Sequence, residues 1–342
     1  MNKRQPTLLV TGGAGFIGSN FIHYYLKKYP NARLLNIDKL TYAGSTDNLT
    51  EVETLENYHF IQGDITDEVL IETIFADYDI TGVIHFAAES HVDRSIQDAK
   101  AFVASNVFGT LTLLQAARKD WENKGVLSER RFHHISTDEV YGSLGEKGKF
   151  SESTPYDPRN PYSASKASAN MFVKSFGHTY GMNIVISSSS NNYGPRQHKE
   201  KLIPTIIRKA LAGESIPIYG DGKNIRDWLY VTDHCRALDT IYHHGNPLET
   251  YNVGGGNEKA NIEMAREICS SLDELVPQYK TTESFKDLIT FTTDRKGHDR
   301  RYAVDDRKLR KALGWKPTED FHSGLRKTVE WYVNQWKTHP VH

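Results

Sequence analysis

"TLLVTGGAGFIGSNFIHYYLKKY", residues 7–29, passes from an apolar run through a cluster of glycines into a segment with helical periodicity. It reads as a buried strand, a tight turn and an amphipathic helix. The spacing Gly12-x-x-Gly15-x-x-Gly18, with Gly13 beside it, suits a backbone that turns sharply and lets a pyrophosphate approach a helix N-terminus. A glycine-rich turn needs no ligand, so the pattern alone is weak. Here it follows a strand, opens a helix, and is followed by an acid, Asp38, at the end of the next apolar run. That acid is placed to accept the hydroxyls of an adenosine ribose and would repel a 2′-phosphate, so NAD is the expected cofactor.

The same rhythm continues outward. "ARLLNIDKL", "YHFIQGDIT", "GVIHFAAES" and "RFHHIS" read as further strands, with helical stretches such as "DEVLIETIFAD" and "VFGTLTLLQAARKDWENKG" between them. "PYSASKASANMFVKSFGHTY" is the next helix and "NIVISSSSNNYGP" the strand after it. Alternating strands and helices predict an α/β fold with a doubly wound parallel sheet of Rossmann type. Asp64 and Ile65, closing the third strand, are placed to border an adenine. Beyond residue 190 the rhythm loosens, although "NIEMAREICSSLDEL" and "FHSGLRKTVEWYVNQW" remain helical. The expected division is a cofactor-binding domain over 1–190, with part of 230–250 returning to it, and a smaller α/β substrate domain over 191–342. The boundary is interleaved, and a cleft between the two is the expected ligand site.

The totals set limits. Among 342 residues there are 42 basic and 43 acidic side chains, a formal charge of −1. That balance argues against wholesale binding to nucleic acid or membrane, and any anion site must be local. Two cysteines, Cys235 and Cys269, cannot make a disulfide framework, which fits a reducing cytoplasm. No apolar run approaches the roughly 20 residues of a membrane-spanning helix. The basic start "MNKRQPTLLV" breaks at once into glycines, so it is not read as a signal segment. No His/Cys set has metal-ligand spacing, and no metal is expected.

In "HHISTDEVYGS", residues 133–143, two carboxylates, Asp138 and Glu139, stand side by side where a strand gives way to a turn. Neighbours on a strand face opposite ways and bare carboxylates repel, so an arbitrary Asp-Glu would be solvated loop decoration. A second pair carries chemistry further along. Tyr162 and Lys166 lie four apart on one face of a helix that Asn160 can cap and Pro161 can open. A neighbouring ammonium favours phenolate, and a phenolate can take a proton from a substrate hydroxyl. Tyr24/Lys28 and Tyr219/Lys223 have the same spacing. Only Tyr162/Lys166 follows the fifth strand, where Thr137 can complete a hydroxyl–tyrosine–lysine group.

"TGGAGFIGS", "HFAAESHVDRSI", "STDEVYG", "PYSASKA" and "SNNYGP" together resemble the extended short-chain dehydrogenase/reductase family. "DKLTYAG", "AAESHVDRSI", the triplet Thr137-Asp138-Glu139 and "GHDRRY" narrow the resemblance to the family of dTDP-glucose 4,6-dehydratases, over nearly the whole chain. The resemblance implies a lyase with tightly bound NAD. Carbon 4 of the glucosyl unit is oxidised, water is lost across carbons 5 and 6, and hydride returns to carbon 6. It implies Asp138 as the acid at the carbon-6 hydroxyl and Glu139 as the base at carbon 5. It also implies cofactor contacts by Phe16, Ile17, Lys39, Thr41, Ala87 and Ala88, and by Ser90, Ser105 and Asn192. Nucleotide-sugar contacts are implied for Ser90, Thr137, Asn191, Lys201, Leu202 and Pro217. The same holds for Tyr219, Arg226, Asn261, Asp294, Arg295 and His298. A homodimer joined by helices and a place in deoxysugar biosynthesis, dTDP-rhamnose in particular, follow by the same resemblance.

Other readings stay open at this point. Another nucleotide sugar, such as UDP-glucose, is compatible with the motifs. A 4-epimerase would share the glycine turn and Tyr162/Lys166 without needing the acid pair. A dinucleotide sensor without activity would need only the first half of the chain.

Overall fold

The computed structural model describes residues 5–294 and 298–338. In chain order the elements begin with β1 (Pro6–Thr11), α1 (Phe16–Lys28), β2 (Arg33–Asp38), β3 (Tyr58–Gln62), α2 (Glu68–Asp77) and β4 (Asp79–His85). Next come α3 (Val92–Gln97), α4 (Ala99–Phe102), α5 (Gly109–Asn123), β5 (Arg131–Thr137), α6 (Pro161–Tyr180) and β6 (Asn183–Ser189). The remainder is β7 (Asn191–Tyr193), α7 (Leu202–Leu211), β8 (Ile216–Tyr219), β9 (Ile225–Tyr230), α8 (Val231–His244) and β10 (Thr250–Val253). It ends with β11 (Glu258–Ala260), α9 (Asn261–Leu275), β12 (Ile289–Thr292), α10 (Arg307–Leu313) and α11 (Phe321–Thr338).

Seven strands form one parallel sheet in the order β10-β6-β5-β4-β1-β2-β3. The expected doubly wound sheet is therefore present. Its strands read as continuous apolar runs because helices cover both faces. On one face Leu9, Leu35, Val83 and Phe132 pack with Phe75 of α2 and Leu113 and Trp121 of α5. On the other, Leu8, Val10 and Ile84 pack with Phe21 and Ile22 of α1 and with Val231, Cys235 and Leu238 of α8. The winding reverses at β1, between β2 and β4, which opens a crevice at the carboxyl ends of the strands.

Glycine is required at the mouth of that crevice. Gly12 has φ 72°, and a Cβ there would lie 2.5 Å from the Ala87 nitrogen. A Cβ at Gly18 would run into the Gly12 carbonyl, so α1 could not seat against the turn. The other wall of the crevice is carried by α6. The Asn160 side chain accepts from Ser163 N–H at 2.9 Å, and Ser163 Oγ accepts from Asn160 N–H at 3.3 Å. Pro161 opens the helix and Gly181, at φ 71°, ends it in the left-handed conformation.

Two smaller sheets, β11-β9-β7 and β12-β8, sit among α7, α9 and α11. There Ile203 and Ile207, Met264 and Ile268, and Leu325 and Val329 enclose Trp228 and Phe285. Two expected elements are divided in the structure. "NIVISSSSNNYGP" is not one strand: it breaks at Ser190, whose N–H bonds Val253, so β6 joins the large sheet while β7 pairs with β9. "VFGTLTLLQAARKDWENKG" is regular only from Gly109, because residues 103–108 form a π-helical turn. Within it Asn106 bonds both backbone groups of Glu89 and the Ser165 hydroxyl. Among the described residues, no helix is long and apolar enough to cross a membrane.

Because the Asn160 cap anchors the helix that carries Tyr162 and Lys166, Asn160→Ala is expected to cost about 1 kcal/mol of stability. Asn160→Asp should cost less. Denaturant midpoints at unchanged m-value measure this, and equal midpoints for wild type and Asn160→Ala would show that the cap is dispensable.

Candidate active site

Asp138 and Glu139 do not sit on the strand. β5 ends at Thr137, whose hydroxyl accepts from Glu139 N–H at 3.3 Å and closes a 3₁₀ turn over Asp138–Tyr141. Successive residues in such a turn are about 120° apart, so consecutive carboxylates need not face opposite ways. Gly142, at φ 89°, then turns the chain away. Asp138 is 2% exposed; one oxygen lies 3.4 Å from the Thr137 hydroxyl, and Oδ2 has no hydrogen-bond partner among the described residues.

Burial holds the Asp138 carboxyl well above the usual carboxylate range, and the Glu139 and Asp227 charges push it the same way. Glu139 is also raised by burial, but Arg226, Lys201 and the Asn160 amide favour its ionised form. Both carboxyls are thus raised, Asp138 the further, so of the two Asp138 holds its proton more firmly.

Tyr162 and Lys166 open onto the same space. Burial and the Glu139 charge raise the Tyr162 phenol above its ordinary value, and a hydrogen bond with Thr137 opposes them. Burial alone lowers the Lys166 ammonium to about 7. Lys166 Nζ donates inward, to the Ile135 carbonyl at 2.8 Å. The two other pairs of like spacing are elsewhere: Tyr24 and Lys28 both bond Asp239, and Tyr219 to Lys223 spans an exposed turn.

These groups line one end of a cavity of about 460 Å³, within the range of small-molecule sites. Its other end is walled by Gly12, Gly15, Phe16, Ile17 and Gly18, with Asp38, Lys39, Thr41, Asp64 and Ile65 beyond. Ala87, Ala88, Ser90, Ser105, Asn191, Asn192 and Lys201 complete the expected set in its walls. A dinucleotide fits the donor set. The glycine turn leaves backbone within reach, and Ser190 Oγ and Asn192 Oδ1 are buried cavity-wall atoms with no partner among the described residues. Asp38 is held by Ala14 and Leu40 N–H, each at 2.9 Å, one to each carboxylate oxygen. Lys39 pairs with Asp64 at 2.6 Å.

The remaining expected contacts lie outside the cavity walls. Tyr219 and Pro217 are on β8, Asn261 opens α9, and Leu202 opens α7. His298 bonds Asp294 at 2.7 Å and meets the Tyr219 ring edge-on at 6.5 Å, so these three gather in one patch. Arg226 is no surface cation: it is 7% exposed, bonds the Asp299 carbonyl at 3.0 Å and lies 4.4 Å over Tyr302. Arg295 falls outside the described residues. Among the described residues, no group of three or more His, Cys, Asp or Glu is placed to hold a metal ion. The sequence reading passed over Asn106, which ties α6 to the loop after β4, and Gln197 and His198 in the cavity wall. A lone asparagine within an apolar helical run carries no local signal of that role.

The raised pKa of Asp138 has a consequence for stability. Protonation favours the fold, so the stability it allows is complete below the unfolded carboxylate value of about 3.9 and is lost as pH rises through the raised value. Asp138→Asn is thus expected to raise the thermal midpoint at pH 7–8 by about 2 °C or more. The gain should vanish near pH 4. A midpoint difference independent of pH would contradict the burial of charge at this position.

Comparison with known proteins agrees with this geometry. The family described as GDP-mannose 4,6 dehydratase matches residues 9–328. A probable dTDP-glucose 4,6-dehydratase of Sinorhizobium fredii is 53% identical over 340 residues, covering 98% of this chain and 95% of that one. The dTDP-glucose 4,6-dehydratase 1 of Escherichia coli is 49% identical, covering 96% and 93%. Among solved structures, the dTDP-glucose 4,6-dehydratase of Bacillus anthracis in complex with NAD superposes with a TM-score of 0.86 at 42% identity, covering 97% of this chain and 98% of that one. The UDP-glucose 4-epimerase of Thermotoga maritima, with a TM-score of 0.84 at 29% identity, shares the architecture over 96% and 99%. With nearly its whole length matched at about half identity, the chain belongs to the dTDP-glucose 4,6-dehydratase family of extended short-chain dehydrogenases/reductases.

Proposed function

We propose that this protein is a hydro-lyase that converts dTDP-glucose to dTDP-4-dehydro-6-deoxy-glucose. The observation that carries the reading is the acid pair. A ketone at carbon 4 acidifies the proton on carbon 5, and elimination then needs a base there and an acid at the carbon-6 hydroxyl. Asp138, buried and held protonated, is suited to the second task, and Glu139, opposed by Arg226 and Lys201, to the first. An epimerase has no use for such a pair, although its fold is the same. NAD, when bound, accepts hydride from carbon 4 and returns it to carbon 6.

The chain's own groups would do the rest. Tyr162 takes the proton of the carbon-4 hydroxyl, with Thr137 hydrogen-bonded to its phenol and Lys166 one helical turn away. The cradle of Gly12, Gly15 and Gly18 would bind the pyrophosphate, and Asp38 the adenosine ribose. We assign residues 1–190 with part of 230–250 to the cofactor and the rest to the nucleotide sugar, supported by the patch of Tyr219, Asp294 and His298 on the smaller unit. Arg226, Lys201 and Arg295 are our candidates for the charged portion of the substrate. A homodimer is proposed through α6 and the π-helical turn that leads into α5, where Met171 and Phe108 are both 59% exposed. The free, buried thiols of Cys235 and Cys269 suit a cytoplasmic enzyme, and the product suits deoxysugar formation such as that of dTDP-rhamnose.

Incubation with a panel of nucleotide sugars should give loss of one water from dTDP-glucose ahead of UDP-glucose, read by mass spectrometry. Substrate deuterated at carbon 4 should carry the label to carbon 6, while carbon 5 takes its hydrogen from solvent. Label returned to carbon 4 without water loss would make the protein an epimerase.

Removing a positioned acid or base should cost about 10²–10⁴ in rate, at different steps for different residues. In single turnovers Tyr162→Phe should form little reduced cofactor, whereas Asp138→Asn and Glu139→Gln should form it and stall afterwards. Exchange of the carbon-5 hydrogen with solvent should persist in Asp138→Asn and largely vanish in Glu139→Gln. Normal dehydration by both amide variants would return the pair to loop decoration.

A further inference from the structure

Lys166 reaches the cavity from α6, and the large sheet holds it from behind. Its Nζ is 2.8 Å from the Ile135 carbonyl and 3.4 Å from Nε2 of His134, which is fully buried. His134 lies beside His85 across β4 and β5, with ring centroids 5.2 Å apart. The two imidazoles are not equivalent. His85 is engaged at both nitrogens, by Thr11 Oγ1 at 2.6 Å and Thr110 Oγ1 at 2.9 Å. His134 is engaged only at Nε2, and its Nδ1 has no partner among the described residues.

An ammonium has three donors and no acceptor. Ile135 takes one and His134 a second, which leaves the third for the cavity. For Nε2 to accept, the proton of His134 must sit on Nδ1 and the ring must be neutral. Burial and the neighbouring Lys166, His85 and His133 all hold it neutral. The titratable groups around the pair are His85 on β4, Tyr162 on α6, His133 beside it on β5, and Asp138 and Glu139 in the turn beyond. β6 adds none at this level, since Ile186 is the register partner of His134.

We propose that His134 is a positioning residue for the oxidation step, accepting a hydrogen bond from Lys166 inside the sheet so that this lysine stays an ammonium with one N–H left for the cavity. The proposal rests on the dehydratase reading with Tyr162 as base. Tyr162 and Lys166 share a proton count: phenolate with ammonium and phenol with amine are two forms of one state. Burial already lowers Lys166 to about 7, and an acceptor works against that loss.

The test compares His134→Leu, which has no acceptor, with His134→Gln, whose amide oxygen can reach the place of Nε2. His134→Phe, which fills the ring's volume, serves as a second variant without an acceptor. In single-turnover oxidation the plateau rate should fall about tenfold or more for Leu and Phe, from the loss of a charge-assisted bond. Their acid limb should move to lower pH, because the first proton then leaves Lys166 rather than Tyr162. Gln should restore most of the rate and the position of the limb. A readout independent of turnover is the ε-¹³C-lysine signal of Lys166, identified with Lys166→Met in protein without substrate. Its midpoint should move to lower pH in Leu and Phe and stay near wild type in Gln. Equal losses in Leu, Phe and Gln with an unmoved Lys166 midpoint would make the role merely structural and overturn the proposal, as would wild-type behaviour of Leu or Phe. Should wild type itself release no water from dTDP-glucose, the dehydratase reading fails, while the lysine titration still decides whether His134 holds the ammonium.

Discussion

The close approach of Gly12 to Ala87 is the contact on which the rest of the arrangement depends. With no Cβ in the way, the turn after β1 lies against the backbone at Phe86 and Ala87 that follows β4, and the glycines leading into α1 line the cavity. Everything that follows is hung around that cavity. β2 brings Asp38 to one rim, β5 brings Thr137 and the acid pair to the other, and α6 closes the side with Tyr162 and Lys166. A parallel sheet delivers all its strand ends to one edge, so residues far apart in the chain meet there without any local signal that they will.

Burial does most of the chemical sorting at that edge. It raises Asp138, raises Glu139, raises Tyr162 and lowers Lys166, each against its charged form. What distinguishes the groups is the company each keeps. Glu139 has two cations and an amide to favour its ionised form, whereas Asp138 has carboxylates for neighbours and an oxygen with no hydrogen-bond partner among the described residues. A chain of almost zero net charge thus builds a site of opposed protonation states from position alone. Desolvated ionisable groups of this kind oppose stability, and the continuous apolar layers on both faces of the sheet are what allow the fold to carry them.

The smaller unit proposed above, around β7, β9 and β11 and β8 and β12, is tied to the large sheet rather than simply appended. Chain 191–230 leaves the sheet through β7, yet α8 returns to pack beside α1 and β10 adds an edge strand next to β6. Arg226 on β9 shows the effect. Its guanidinium, set over Tyr302 and bonded to the Asp299 carbonyl, brings a buried cation from the second unit to the carboxylates at the end of β5.

Much of this was legible in the residues. The glycine spacing, the apolar runs and the Asn160 cap are local features, and local features determined the strands, the helices α6 and α9 and the parallel sheet. The choice of Tyr162/Lys166 over its two decoys was likewise readable, because it rests on order along the chain. The break at Ser190, the π turn around Asn106, the burial of Arg226 and the two histidines behind Lys166 were not readable. Each depends on which strand or helix arrives alongside from a distant part of the chain. An asparagine or histidine in an apolar run looks the same whether it fills space or bonds a partner 32 or 59 residues away. The sequence determined which groups were available and on which elements they ride. Only the tertiary structure decided which of them lose water together and beside which charges: those charges separate Asp138 from Glu139, and desolvation leaves Lys166 in need of an acceptor.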